Sequence, residues 1–352
     1  MKAKSITDSF GKTQQFNYEY DALDRLIKTT GPLNDIVSTL YNDQENKTTT
    51  TLPNKNLIEQ TYDGVDRLSS ISYNNERFYS FAYDEKKNKE SVTYVKEARV
   101  KEKTFDDTDR LITFTDRSGL QQWNYPRDSD KLTSFTFSQG GFTQTNNYTY
   151  NQLDQNTVVT AGGYTYRFDY DEKGNVQTSI TGNGTGSTFN YDDRGLVTNL
   201  SIGTEDGSDI LTEKYDYDAN GNRTQIAYPN GELTSYEYDV LHQLTKETLQ
   251  EGKTIEYAYD RFGNRKSVKT TENGQTISKI ATYNIANQLK QFDDETIEYD
   301  LNGNRTSDGK HSYKWDAANR LISVTKLGET TLLPHINTMK VENESRKMSM
   351  GL

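Results

Sequence analysis

The sequence predicts an all-β protein of tandem repeats wound as one continuous sheet, and three observations carry that reading. An aromatic residue followed by Asp recurs at steps near 21 residues, other aromatics alternate with the residues just before it, and a Gly, Asn or Asp follows within four places.

The motif opens at Tyr20 and Asp21 (YDALDRL) and returns at Tyr62 and Asp63, Tyr83 and Asp84, and Phe105 and Asp106. It continues at Tyr170 and Asp171, Tyr191 and Asp192, Tyr217 and Asp218, Tyr238 and Asp239, and Tyr259 and Asp260. The last copies are Tyr299 and Asp300, then Trp315 and Asp316. Copies without the Asp begin at Tyr41, Tyr125, Tyr150 and Tyr283, which makes fifteen repeats. Successive aromatics are 21, 21, 21, 22, 20, 25, 20, 21, 26, 21, 21, 24, 16 and 16 residues apart. The longer steps fall where turn-rich segments are inserted, at Ser138–Gly141, Gly203–Asp209 and Thr271–Gln275.

Each unit reads as two strands and two turns. Before the motif, aromatics sit two apart, as in Tyr18 and Tyr20 or Tyr236 and Tyr238. That spacing puts both rings on one face of a strand, where ring-on-ring packing between repeats is expected. After the aromatic comes a residue suited to positive φ, then a β-branched run such as Arg223–Tyr228. Half a period later a second turn signal appears, in Tyr228–Leu233 (YPNGEL) and Leu52–Leu57 (LPNKNL). No window keeps a 3.6-residue apolar period, so almost no helix is expected. A lone repeat cannot bury its aromatic face, so stability must come from neighbours, and unpaired end strands should fray.

Composition narrows the function. Apolar residues are only 32% of the 352, but 25 Tyr, 13 Phe and 2 Trp favour folded β structure over disorder. A net charge of −11 argues against a nucleic-acid backbone as partner. With no Cys there are no disulfides or thiolate metal sites. The first twelve residues hold no apolar run of a secretory signal, and no stretch approaches the ~18 apolar residues of a membrane span.

The motif and its period resemble the RHS/YD-repeat family, which includes teneurins and insecticidal toxin-complex subunits. The resemblance runs from about Phe16 to Lys326, and the dense YDxxGNR and YDxxDRL copies look most like Gram-positive wall-associated members. It implies a β-spiral shell that encloses a C-terminal toxin or forms a cell-surface scaffold, secreted or wall-associated. The expected partners are the remainder of a larger shell or the enclosed toxin. Three family features are not found here: a self-cleaving Asp-Pro segment (none of the five Pro follows an Asp), a toxin domain and a signal peptide. The chain is therefore expected to be a non-enzymatic shell segment, with a YD array at residues 1–326 and a non-repeat tail at 327–352. A glycan-binding adhesin using exposed tyrosines is the alternative, and a decayed gene fragment a third reading.

Each candidate for chemistry has a structural counterpart. Paired carboxylates serve glycosidases, but catalysis needs one asymmetric pair, and this Asp recurs in eleven repeats. An Asp before a turn more simply accepts backbone N–H bonds. Asp218–Arg223 and Asp300–Arg305 resemble calcium loops but lack the closing Glu and flanking helices. His242, His311 and His335 are not at metal-ligand spacing. No G-x-S-x-G elbow is present, and Thr181–Ser187 (TGNGTGS) lacks the Lys of a phosphate loop and reads as a hairpin tip. No cofactor is expected.

The tail suggests a shifted reading frame. After Lys326 the motif is lost. Read from the third base of each codon, Met339 followed by Lys340 forces Glu, and Asn343 followed by Glu344 forces Arg if the frame stays open. The shifted product accommodates Tyr-Asp-Glu-Ser-Gly-Lys-Arg, its aromatic 23 residues after Trp315. On this reading residues from about Leu332 onward are non-native and poorly ordered, and the chain is a truncated remnant of a larger YD protein.

Overall fold

The computed structural model of the protein describes residues 2–7, 13–204 and 208–328. The segment carrying the shifted-frame idea lies outside them. The described residues form 32 strands and two single-turn 3-10 helices, Glu85–Lys87 and Gln250–Gly252. Twenty-eight strands belong to one antiparallel sheet, and the last four form a second.

Strands pair with their sequence neighbours, as a chain of hairpins must. In the first repeat, strand Thr13–Tyr20 pairs with Leu26–Thr30, which pairs in turn with Ile36–Asn42. The motif turn joins the first two and the second turn joins the next two. Both turn types match the chemistry of their residues. At Leu52, the N–H donates to the Asn56 carbonyl (2.8 Å) while the Asn54 side chain accepts from the Asn56 N–H (3.0 Å).

One irregularity repeats with the motif. Glu19 pairs with Lys28 and Tyr20 with Leu26, leaving Ile27 as an extra residue in the return strand. The same slip precedes Tyr62, Phe105, Tyr150, Tyr170, Tyr191, Tyr217 and Tyr238, and recurs at Trp315. A bulge at this fixed place adds local twist, so successive repeats bend alike. Thr often fills it, and Thr157, Thr198 and Thr245 donate their hydroxyls to the Thr149, Asn190 and Glu237 carbonyls (3.3, 3.3 and 3.0 Å).

The two 16-residue steps leave room only for short strands, Glu295–Thr296, Glu298–Tyr299 and Arg305–Ser307. Between the first two sits buried Ile297, whose N–H donates to the Lys290 carbonyl (2.9 Å). There the large sheet gives way to the four-stranded one.

Burial is sparse. Among the described residues only Phe78, Ile226, Ala281, Ile297 and Val324 are buried apolar side chains. Two compact units are present. One comprises Met1–Ser80, Tyr257–Lys269 and Ile277–Leu352, the other Phe81–Glu256 and Thr270–Thr276. Within the first unit residues far apart in sequence meet. The Asn54 N–H donates to Asn302 Oδ1 (3.1 Å), and Arg320 lies with its guanidinium 5.1 Å from the Phe78 ring and Nη1 3.4 Å from the Tyr79 hydroxyl.

Candidate functional site

The recurring site is the motif turn. In the first copy the Asp21 N–H donates to the Arg25 carbonyl (3.0 Å) and the Asp24 N–H to the Asp21 carbonyl (3.2 Å). Asp21 Oδ1 accepts from the Leu23 and Arg25 N–H groups (both 2.9 Å), and Oδ2 accepts from Arg25 Nε (2.7 Å). Asp63 and Asp106 bind their Arg67 and Arg110 in the same way. In the copies at Asp171, Asp218, Asp260 and Asp300, the residue four places on is Asn, and its Nδ2 replaces the Arg nitrogen at 2.7–2.9 Å. One carboxylate thus satisfies two backbone donors and one side chain. The residue three places after the Asp takes positive φ, whether Asp24 (58°), Asn319 (57°), Gly221 (88°) or His242 (62°). Asp84 departs from the set, capping the short helix by accepting from the Lys87 N–H (3.3 Å).

The turns also join neighbouring repeats. The hydroxyl of the motif Tyr donates to the carbonyl that opens the preceding repeat's return strand. Tyr170 reaches Asn156 (2.6 Å), Tyr191 reaches Val176 (2.7 Å), Tyr217 reaches Val197 (2.8 Å) and Tyr238 reaches Arg223 (2.9 Å). Trp315 does the same through Nε1, to the Arg305 carbonyl (2.7 Å). Arg223 lies between the Tyr215 and Tyr236 rings, 5.5 Å from each. These motif aromatics therefore meet the preceding repeat through a hydroxyl or indole N–H, and the tyrosines two places before Tyr217 and Tyr238 share a guanidinium, where the spacing predicted ring-on-ring packing. The described ring pairs, Tyr73 with Phe78 and Trp123 with Phe135 among them, lie outside the motif positions.

Sequence reasoning overlooked the arginines of the DRL copies. Arg25 extends past Asp21 to stack on Tyr41 (4.3 Å) and pair with Asp43 (2.6 Å). Arg110 reaches the Tyr125 ring (5.0 Å) and donates to the Pro126 and Ser129 carbonyls (3.2 and 2.6 Å). Both following repeats lack the motif Asp.

Electrostatics fit a structural carboxylate. Asp21, Asp63 and Asp192 are held below the usual carboxylate range, first by the backbone N–H of Arg25, Arg67 and Leu196 respectively. Asp171 and Asp218 are lowered first by the side chains of Asn175 and Asn222. For Asp106 desolvation is the largest influence and opposes ionisation, yet the bonds from Arg110 prevail and its carboxyl is lowered too. A depressed folded value means stability present above the unfolded carboxylate pKa, near about 4, and lost as pH falls through the lower folded values. Denaturation midpoints should therefore stay level from neutral pH to about 5 and fall below about 4. Asp→Asn variants at several motif turns should flatten that acid limb, which urea titrations across pH will measure.

A single turn contributes modestly. Asp260 accepts from the Phe262 and Asn264 N–H groups and from Asn264 Nδ2, all at 2.9 Å. Replacing it with Ala should cost ~0.5–2 kcal/mol, on the scale of a lost side-chain cap, in urea unfolding.

The remaining candidates fall into place separately. His242 occupies a motif turn with Nδ1 3.0 Å from Asn222 Nδ2, His311 lies 3.4 Å from Asp308, and His335 is outside the described residues. Thr181–Ser187 does form a hairpin tip, with the Thr181 N–H on the Thr185 carbonyl (2.8 Å). Among the described residues only Phe142 and Tyr164 are exposed aromatics, too few for a row of sugar-stacking rings. No helix is long and apolar enough to cross a membrane among the described residues.

The RHS Repeat family model matches residues 217–254 and 238–276, and the Teneurin YD-shell model matches residues 69–206. The chain is 50% identical over 316 residues to a protein named tRNA nuclease WapA of Bacillus subtilis (strain 168), covering 90% of this chain and 14% of that one. It is 50% identical over 311 residues to tRNA3(Ser)-specific nuclease WapA of Bacillus spizizenii, covering 88% of this chain and 13% of that one. It thus spans about one seventh of the length of these relatives. A crystal structure of TcdB2-TccC3-TEV aligns with a TM-score of 0.43 at 13% identity, over 91% of this chain and 25% of that one.

Proposed function

This chain belongs to the RHS/YD-repeat family, and we propose that it is a non-enzymatic wall segment of a larger YD shell. The observation that carries this reading is the fate of the motif Asp. In copy after copy its oxygens are taken up by the turn they stabilise, and the motif aromatic fastens one repeat to the one before. A residue set spent on repeat-to-repeat bonding builds a surface. The array spans residues 1–326 as one repeat series, and the motif positions from Tyr20 to Asp316 are its structural frame.

In this reading the nuclease activity named for the Bacillus relatives lies outside their matched seventh. The shell segment serves a secreted or wall-associated toxin-delivery protein, and its partners are the other shell repeats and the enclosed toxin. The test replaces the matched segment of the Bacillus subtilis relative with this chain. The chimera should fold, be exported and keep tRNA-cleaving activity against recipient cells, whereas the isolated chain should cleave neither tRNA nor wall glycan. A folded isolated chain with hydrolase activity that one motif Asp→Ala change abolishes would overturn the proposal.

A further inference from the structure

Five Asn–Gly pairs occur in the chain, beginning at Asn183, Asn220, Asn230, Asn273 and Asn302. All five lie at turns, where the Gly takes positive φ. Such a pair is chemically reactive, because no Cβ on the Gly hinders its nitrogen from attacking the Asn side-chain carbonyl. A fold restrains that attack in two ways. A hydrogen bond can occupy the Gly N–H, and other bonds can fix the carboxamide.

Four of the pairs are restrained. The Gly184, Gly221, Gly231 and Gly303 N–H groups donate to the Thr181, Asp218, Tyr228 and Asp300 carbonyls (2.9, 3.2, 3.0 and 3.0 Å). In three of them the carboxamide is held as well. Asn183 Oδ1 accepts from the Thr181 hydroxyl and the Thr185 N–H. Asn230 Oδ1 accepts from the Glu232 N–H (3.0 Å), and its Nδ2 donates to Glu232 Oε2 (2.8 Å). Asn302 lies on the seam where the first and last repeats of the first unit meet. Its Oδ1 accepts from the Asn54 N–H (3.1 Å) and its Nδ2 donates to Asn319 Oδ1 (3.0 Å).

The fifth pair stands apart. Asn273 and Gly274 are the two-residue tip between Glu272 and Gln275, with φ of 50° and 74°. In a two-residue hairpin the ladder bonds belong to the flanking strands, so the tip groups are left to water. Both residues are exposed, and among the described residues neither the Gly274 N–H nor the Asn273 carboxamide has a hydrogen-bond partner. Nucleophile and electrophile are both free only here.

We propose that Asn273 is a self-modification site, at which the chain converts its own side-chain amide to an acid. The Gly274 nitrogen attacks Asn273 Cγ and gives up its proton, the amide nitrogen leaves as ammonia, and a cyclic imide remains. Water then opens the ring at either carbonyl, leaving aspartate or isoaspartate. Both products add one negative charge to the chain. Isoaspartate also inserts a methylene into the backbone of a turn whose strands are tied just beyond it by the Thr271 to Thr276 hydroxyl bond (3.0 Å).

Incubation of the folded chain in mildly alkaline buffer, with peptide mapping by mass spectrometry at intervals, tests this. A hydrogen bond that must first break slows the attack by roughly fivefold. Asn273 should therefore convert about fivefold faster than Asn220, whose Gly N–H is bonded, and faster still than Asn183, Asn230 and Asn302. In urea the five rates should converge. Gly274→Ala should suppress conversion at Asn273, and circular dichroism should remain that of the folded sheet, since a Cβ there meets nothing within 4 Å. A restrained pair that converts as fast as Asn273 in the folded chain would overturn the proposal. So would an Asn273 that leads by the same margin in urea, or one that converts unslowed in the folded Gly274→Ala variant.

Discussion

Phe78→Ala should lower the unfolding free energy by about 3 kcal/mol, the lower part of the range for a buried Phe. Phe78 is 5% exposed, one of few buried apolar side chains among the described residues. Its ring meets Tyr73 edge-on at 4.9 Å, and the Arg320 guanidinium lies 5.1 Å away. Arg320 is itself steered by Asp316, which accepts from its Nε (2.8 Å). Truncation thus removes ring burial, an aromatic contact and a cation–π contact together. The lower part of the range applies because the long, flexible Arg320 side chain can settle into the space left behind. The loss should be partly shared with Arg320→Ala, with a coupling of about 0.5–2 kcal/mol in a double-mutant cycle. Hydrogen exchange gives a separate readout. The Asn54 N–H, bonded to Asn302 elsewhere on the same seam, should exchange faster in both variants. Unchanged exchange at Asn54 would mean that the two contacts do not act as one seam.

The contrast between local and long-range features decides what the sequence disclosed. The repeat, its two turns and the antiparallel hairpins were legible because each is specified within a few residues. Asp21 and Asp24 are three apart, and the Asn54 to Asn56 turn bond spans two. The family followed from the same motifs. The bulge beside each motif was not anticipated, since an extra residue such as Ile27 leaves no mark in the spacing of the aromatics. The partners of the tyrosines were misjudged for a related reason. A two-residue spacing fixes which face a ring occupies, but whether another ring, a guanidinium or a carbonyl meets it depends on the stagger between strands. The seam was invisible, because Asn54 and Asn302 are 248 residues apart and Tyr79 and Arg320 are 241 apart. Nothing local in either segment announces the other.

Gly119→Ala should destabilise the chain by about 3 kcal/mol or more, and it isolates backbone packing from side-chain burial. Gly119 closes the hairpin after Asp116, whose carboxylate accepts from the Ser118 N–H (2.8 Å). Its φ of +127° lies in a region that L side chains rarely enter, and strain there costs on the order of 1–3 kcal/mol. The neighbouring strand adds a second cost. A Cβ on Gly119 would fall 2.2 Å from the Ser138 carbonyl oxygen and 3.0 Å from the Gln139 Cβ. The carbonyl is backbone, paired through Ser138 with Leu120, so it cannot swing aside without opening the ladder. Gly231 supplies the control: its φ is +84°, and a Cβ there would meet nothing within 4 Å. Gly231→Ala should therefore cost only the conformational part, about 1–2 kcal/mol. The difference between the two variants in urea unfolding measures the close approach of the strands at Gly119. Equal losses would show that the strand at Ser138 stands further from Gly119 than described.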